Sequence, residues 1–217
     1  MRIANRRPAA ILARCVAGLL LLTAATADAA LRVDVLVFGQ PAASSEGLGW
    51  TTTSPLPPCH AVQLRDGSGA EAAFANDSEC QPVAGKEPMY AGYAGAGAAS
   101  LTNAATKLKN GGHPLLVNRG WRQSPDLSPV LLRGGADIAG RPEVMGTFTL
   151  GVQEKYVEVT LDLVLTRLNK TSGQPEFLVI RETRKMKTGE PHYLDHPLLG
   201  AIVQVVDTEQ EEKKAAR

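Results

Sequence analysis

The chain has 217 residues, with 23 lysines and arginines against 22 aspartates and glutamates, so its formal charge is +1 at pH 7. A nearly neutral chain offers no electrostatic basis for binding nucleic acid or an anionic membrane surface, and we set both function classes aside. The length is sufficient for one domain with a substantial hydrophobic core.

The N-terminal segment has the three parts of a cleavable signal peptide. Its basic part contains four arginines: Arg2, Arg6, Arg7 and Arg14. Residues 15–23 form an apolar run too short to cross a bilayer, and residues 25–30 supply the small side chains that a signal peptidase reads. We predict a signal peptide over residues 1–29, cut after Ala29, with a cut after Ala27 or an uncleaved anchor as alternatives. Its removal leaves a formal charge of −2, and no later segment is apolar for long enough to span a membrane, so we expect an exported, soluble protein.

Two cysteines remain beyond the signal peptide, Cys59 and Cys80. In an oxidising compartment such a pair is most simply a disulfide, with two free thiols as the alternative. Closing a loop of about 20 residues stabilises a fold by about 3 kcal/mol in the chain-entropy model. A metal site needs more ligands than these cysteines and His60 supply, so we predict no metal here.

The first half of the chain contains a predicted strand and a predicted helix, separated by a long segment without hydrophobic periodicity. Residues 31–38 show the alternation of a strand that becomes fully buried. Residues 39–97 are rich in small residues and proline and have little periodicity, so we predict an irregular insertion pinned by the disulfide. Ser100 is placed to cap a helix over residues 101–110, which the pair Gly111-Gly112 ends.

The second half of the chain carries strand patterns. In residues 155–167 five apolar side chains point to one face: Val157, Val159, Leu161, Leu163 and Leu165. Polar residues occupy the other face, and a period of two indicates one buried and one solvated side. Further strands are predicted over residues 114–121, 130–132, 148–152, 177–186 and 198–206, followed by a polar tail over residues 208–217.

These elements place the fold in the α+β class. Half-solvated strands joined by short turns favour an antiparallel meander, with one or two helices beside it. The pattern leaves open whether the sheet closes into a barrel. We therefore expect a single domain over residues 30–207 that includes the insertion.

One segment, residues 184–197, combines the most reactive side chains. It contains Arg184 and Lys185, then His192, Tyr193, Asp195 and His196, and ends at Pro197. The two histidines are four residues apart, which suits a shared metal on a helix, but the flanking prolines argue against a helix. In an extended strand the two histidines lie about 13 Å apart, too far to share one metal.

This segment lacks the arrangement of groups that nucleophilic catalysis usually requires. Adjacent residues cannot easily supply both a nucleophile and an orienting acid, and no G-x-S-x-G motif is present. We predict that Asp195 and His196 satisfy backbone groups where the chain turns into its last strand. His192 and Tyr193 are expected to be exposed and, with Arg184 and Lys185, to contact a ligand.

A second candidate binding cluster is Trp121, Arg122 and Gln123. A tryptophan face suits a sugar ring, and its polar neighbours suit hydroxyls or carboxylates. The alternative is a tryptophan of the core at the end of a strand, and the sequence does not separate the two.

Several segments carry a family resemblance. They are residues 31–38, residues 113–123, Gly146, residues 156–163, residues 184–187 and, most sharply, residues 192–200. In these segments the chain resembles the CsiV family of periplasmic peptidoglycan-binding proteins. We interpret Asp195, His196, Pro197 and Gly200, in the sharpest segment, as a structural motif. Family members often have histidine at Asn118 and near Glu158, so this departure argues further against chemistry based on histidine.

The resemblance implies a location and a role. A CsiV-like protein is expected to be a non-catalytic periplasmic accessory factor that binds peptidoglycan, uses no cofactor and does not bind nucleic acid. It is expected to support a class A penicillin-binding protein together with that enzyme's outer-membrane lipoprotein activator. A protein-interaction factor that does not bind the polymer is the main alternative, and a wall hydrolase is a further one.

Overall fold

The computed structural model describes residues 31–41, 47–65, 69–97 and 100–208. Within these ranges the strands are, in chain order, β1 (Leu31–Gly39), β2 (Val62–Leu64), β3 (Ala70–Ala72), β4 (Tyr93–Gly97), β5 (Leu115–Gln123), β6 (Val130–Ile138), β7 (Arg141–Val152), β8 (Val157–Leu168), β9 (Pro175–Met186), β10 (Pro191–Asp195) and β11 (Leu199–Asp207). One α-helix, α1 (Thr102–Asn110), and one 3-10 turn (Asp77–Glu79) accompany them. The predicted signal peptide and residues 209–217 of the predicted tail lie outside the described residues.

The chain's second half builds most of one sheet, which we call the meander sheet. Strands β6, β7, β8 and β9 follow one another as antiparallel neighbours, and β2 and β3 extend the sheet beyond β6. All five apolar residues that the sequence assigns to one face of β8 are at most 8% exposed, which confirms the predicted buried face. Burial of alternate side chains thus dictates which side of this sheet forms the core.

The remaining strands form a second sheet, which we call the terminal sheet because it contains the first and last strands. Its order is β10-β11-β1-β5-β4, and all its pairs are antiparallel. Strand β1 lies at its centre, where Val33, Val35 and Val37 are fully buried. The apolar run at the start of the described chain is therefore the central strand of a sheet that the C-terminal strand completes.

The two sheets pack face to face around one core. Trp121 of the terminal sheet meets Phe148 of the meander sheet edge-on, with ring centroids 5.1 Å apart. Strands β5 and β6 approach so closely at one edge that a Cβ on Gly134 would lie 1.7 Å from the Leu116 carbonyl oxygen. Glycine is required at that position because any side chain would push the two backbones apart.

Helix α1 covers the outer face of the terminal sheet, where it packs on Leu36 through Leu101 and Ala105. Gly111 ends the helix as predicted, but the predicted cap is wrong, because the N-terminal cap position is Leu101. Ser100 instead bonds to Asp34 of β1: its backbone N–H and its hydroxyl each donate to that carboxylate over 2.7 Å. The start of the helix is thereby tied to the sheet through a carboxylate that is only 1% exposed.

The long insertion has more structure than its sequence indicates. Strands β2, β3 and β4 lie within it, and Cys59 and Cys80 form the predicted disulfide, with Cα atoms 4.8 Å apart. The Tyr93 hydroxyl donates to the Ser128 carbonyl, and burial raises the pKa of this tyrosine. Strands β2 and β4 pair with β6 and β5, outside the insertion, and β3 pairs with β2. Local periodicity does not reveal the two distant pairings.

Three expectations about the architecture need correction. The strands form two facing sheets rather than one meander, and the described residues form no closed barrel. Strand β6 continues to Ile138, well beyond the predicted residues 130–132. The segment after Lys187 contains strand β10, which is absent from the predicted strands. No helix of the described chain has the length and apolar character needed to span a membrane.

Candidate functional site

Trp121 and Gln123 belong to the core. The indole is 1% exposed, and its Nε1–H donates to the Gln123 side-chain oxygen over 2.7 Å. Both residues lie on the inward face of β5, so the structure agrees with the core alternative and leaves no indole face open to a sugar. Arg122, between them, is exposed on the outer face opposite Arg32.

Arg184 and Lys185 are exposed near the C-terminal end of β9, on the meander sheet. The Lys185 ammonium lies 4.9 Å from the ring centroid of Tyr156, a cation–π contact that partly orders this lysine. These two residues and Tyr193 are on different sheets, so the structure divides the predicted cluster into separate surfaces.

His192 is less accessible than predicted. It pairs with the fully buried Val203 of β11 and is itself half-buried. Its Nε2 atom is buried and has no hydrogen-bond partner among the described residues. The ring therefore offers little surface to a large ligand.

Tyr193 is exposed, as expected, and anchors a cluster that we call the tyrosine patch. Its hydroxyl donates to Asp195 over 2.9 Å, and the Gln40 amide donates to the same hydroxyl over 3.0 Å and to Asp195 over 3.3 Å. The Tyr193 ring stacks on Phe38 with centroids 6.2 Å apart, and His113 meets Phe38 edge-on. Burial, followed by the Asp195 carboxylate, raises the pKa of Tyr193, so the phenol stays protonated at neutral pH.

Asp195 therefore does not act as predicted, because within the described chain its carboxylate accepts from the Tyr193 and Gln40 side chains rather than from the backbone. His196 does satisfy a backbone group: its Nδ1 accepts from the Leu198 N–H over 3.2 Å. Burial lowers the pKa of His196, against smaller raising effects of Glu182 and Asp195. Pro197 is exposed in the hairpin turn between β10 and β11.

Gly200 forms the floor of the tyrosine patch. The Phe38 ring lies directly over its backbone, and a Cβ there would be 2.3 Å from the ring. Phe38 and Gly200 are opposite one another in the β1–β11 pair, so the close contact is fixed by the register. This glycine thus permits the ring stack that supports Tyr193.

Beside the tyrosine patch lies an open cavity of about 300 Å³, which we call the end cleft. It forms where β1 ends and β11 begins, opposite the end of β8, and Gln40 lines it as well as bonding to Tyr193. Its other polar lining residues include Trp50, Glu143, Arg167 and Lys170. The cleft and the patch therefore form one continuous candidate surface.

The end cleft includes residues that are not among the predicted site residues. The Arg167 guanidinium lies 3.5 Å from the centroid of the Trp50 ring and is paired with Glu176. Hydrogen bonds from Asn169 and then Arg167 lower the pKa of Glu176. Trp50 stands in a stretch without periodicity, and its contact with Arg167, near the end of β8, gives no local signal in the sequence.

The described residues contain no group of three His, Cys, Asp or Glu side chains that could hold a metal ion. Besides its apolar residues, the joined surface of patch and cleft presents the Tyr193 and Trp50 rings, hydroxyl, amide and carboxylate groups, and the cations Arg167 and Lys170. Such a surface can donate and accept hydrogen bonds to a polar ligand.

The chain matches, over residues 9–208, the protein family described as "Peptidoglycan-binding protein, CsiV". Neither a search of curated proteins nor a search of solved structures found a match.

Proposed function

Because this chain belongs to the CsiV family of peptidoglycan-binding proteins, we propose that it binds peptidoglycan in the periplasm. The predicted signal peptide supports export, and the disulfide fits an oxidising compartment. The family description points to an envelope location and to binding rather than to a reaction.

The observation that carries the proposal is the family match over residues 9–208. The tyrosine patch and the end cleft give it a physical basis. Peptidoglycan presents hydroxyls, amides and carboxylates, and the joined surface presents partners for each of them. Tyr193 is 46% exposed and held by two side-chain hydrogen bonds, so its ring can contact a ligand with little loss of conformational freedom.

We propose that the protein binds without catalysis. The hydrolase alternative built on this segment would need a free His196 with an orienting carboxylate, yet the Nδ1 of His196 accepts from the Leu198 N–H. Its neighbour Asp195 holds Tyr193 and Gln40 instead. Incubating sacculi with the protein should release no soluble muropeptides; release that His196→Ala abolishes in a folded variant would establish the hydrolase alternative instead.

From the family resemblance we further propose an accessory role in wall synthesis. The protein would support a class A penicillin-binding protein together with its outer-membrane lipoprotein activator. The exposed Arg122, Arg184 and Lys185 lie apart from the end cleft and are available for a protein partner. A pull-down from envelope extracts tests this role: recovery of both partners supports it, and recovery of neither contradicts it.

Co-sedimentation with purified sacculi tests the binding itself. We expect the mature protein to pellet with sacculi and Tyr193→Ala to pellet much less. Tyr90→Ala is the matched control, because Tyr90 is also exposed, at 42%, but is not part of the tyrosine patch. Recovery of envelope partners without any pelleting would favour the interaction factor that does not bind the polymer.

A further inference from the structure

The end cleft is small for a polymer site. Its volume of about 300 Å³ is at the lower limit for ligand pockets, which suits one or two small residues rather than a run of sugars. Apolar residues such as Leu116, Leu165 and Leu199 supply much of its wall, and a few polar groups interrupt them. Those polar groups therefore decide which ligand fits.

Trp50 supplies a hydrogen-bond donor that is not in use. Its Nε1 is buried and has no acceptor among the described residues. A buried donor without a partner is costly, and a ligand that brings an acceptor would remove that cost. Arg167 covers one face of the ring, so that face is closed to a sugar.

The charged residues of the cleft differ in how well they are neutralised. Arg167 is paired with Glu176, whereas Lys170 makes no ion pair within the described part of the chain. Glu143 adds a carboxylate, which accepts a hydrogen bond from the Ala136 N–H over 3.1 Å. The cleft thus offers a cation and an anion, and Trp50, whose buried Nε1 has no partner among the described residues, forms part of its wall.

We propose that the end cleft binds a zwitterionic peptide group, one that carries an amine and a carboxylate, rather than a sugar ring. Lys170 and Trp50 take the carboxylate, and Glu143 takes the amine. The inference rests on the proposed function, because the stem peptides of peptidoglycan carry free amines and carboxylates whereas its sugars carry acetamido and hydroxyl groups. The protein then recognises the peptide part of the polymer.

Soluble probes test this ligand class. Calorimetry on the mature protein would compare a synthetic stem tripeptide ending in a free diamino acid, the same peptide with its amine acetylated and carboxylates amidated, and a tetramer of N-acetylglucosamine. We expect the free peptide to bind and to displace the protein from sacculi. The blocked peptide should bind at least about tenfold more weakly, because it loses charge-assisted hydrogen bonds. Equal binding of both peptides, or preference for the sugar, would overturn the inference.

Variants assign the roles of the side chains. Lys170→Gln and Glu143→Gln should each weaken peptide binding about tenfold by removing one charge. Lys109→Gln, on the exposed side of α1, is the matched control and should bind normally. Unchanged affinity in both cleft variants would refute the assignment.

Trp50→Phe separates a binding role from a structural one. The substitution keeps a ring under Arg167 and removes a donor that has no partner in the free protein. Stability should therefore be maintained or increase while peptide affinity falls severalfold. Lower stability with unchanged affinity would show a purely structural tryptophan. Sacculus binding that the peptide does not displace would overturn this inference alone, whereas absence of sacculus binding would overturn the proposed function.

Discussion

The contact between Phe38 and Gly200 yields a prediction whose size follows from the structure. A methyl group at Gly200 would lie 2.3 Å from Cζ and 2.6 Å from Cε2 of the Phe38 ring. The ring would have to move by roughly 1 Å to restore normal van der Waals contact. It is 2% exposed and packed between Tyr193 and His113, so it has no free space to move into.

Overpacking of this kind typically costs about 1–3 kcal/mol, and we expect Gly200→Ala to lower the free energy of unfolding by that amount. For a domain of this size the loss corresponds to a fall in Tm of roughly 2–12 °C. Urea and thermal unfolding measure both quantities. The displaced ring should also disturb Tyr193, so the variant should bind sacculi less well.

A second glycine provides the control. Gly151 also lies in a strand, but a Cβ there would meet no atom closer than 3.9 Å. Gly151→Ala should therefore be neutral or slightly stabilising, because alanine restricts the unfolded chain. The double variant Phe38→Leu with Gly200→Ala should lose less free energy of unfolding than the sum of the losses in the two single variants, because the smaller leucine leaves room for the new methyl group. The reasoning is refuted if Gly200→Ala is as stable as the native chain.

Three further predictions concern stability. Replacing Cys59 and Cys80 by alanine should cost about 3 kcal/mol and lower the Tm by roughly 6–12 °C; an unchanged Tm would contradict the stabilising role of the disulfide. Ser100→Ala removes a hydroxyl donor from the buried Asp34 carboxylate and should cost about 1–3 kcal/mol in urea unfolding, with an unchanged midpoint as the opposing result. Burial lowers the pKa of His196 below its ordinary 6.5, so the unfolded chain binds the proton more readily and stability falls as pH decreases through the range below 6.5. His196→Asn keeps an acceptor for the Leu198 N–H, and its free energy of unfolding should decline less steeply between pH 7 and 5. If the variant and the native chain lose stability in parallel over this range, His196 is not the source of the pH dependence.

The strands of the meander sheet could be predicted because their side chains alternate. In β8, the residues from Val157 to Leu165 repeat with a period of two, and the same alternation marks Leu178 and Ile180 in β9. Burial of one face is a local requirement, so it leaves a pattern in the local sequence.

The arrangement of the strands into two sheets leaves no comparable pattern in the local sequence. Strand β1 pairs with β11 and β5, and these pairings join residues that are far apart in the chain. Strand β10 was missed because only Leu194 among its five residues is buried, so its order depends on pairing with β11. Ser100 resembled a helix cap because the sequence does not reveal the competing carboxylate of Asp34.

The candidate site was predictable only in part. Tyr193 could be identified because an aromatic residue stands in a polar, proline-bounded segment. Trp121 has an equally polar neighbourhood in sequence, and only the register of β5 shows that it faces the core. Trp50, Arg167 and Lys170 come from two distant segments, and their convergence at the end cleft is a consequence of the fold.

Equilibrium co-sedimentation of the mature protein with purified sacculi tests the central claim most directly. We expect saturable pelleting of the native chain, strong loss of pelleting in Tyr193→Ala, and native behaviour in Tyr90→Ala. Failure of the folded native protein to pellet with sacculi, or equal pelleting of the two tyrosine variants, would contradict it.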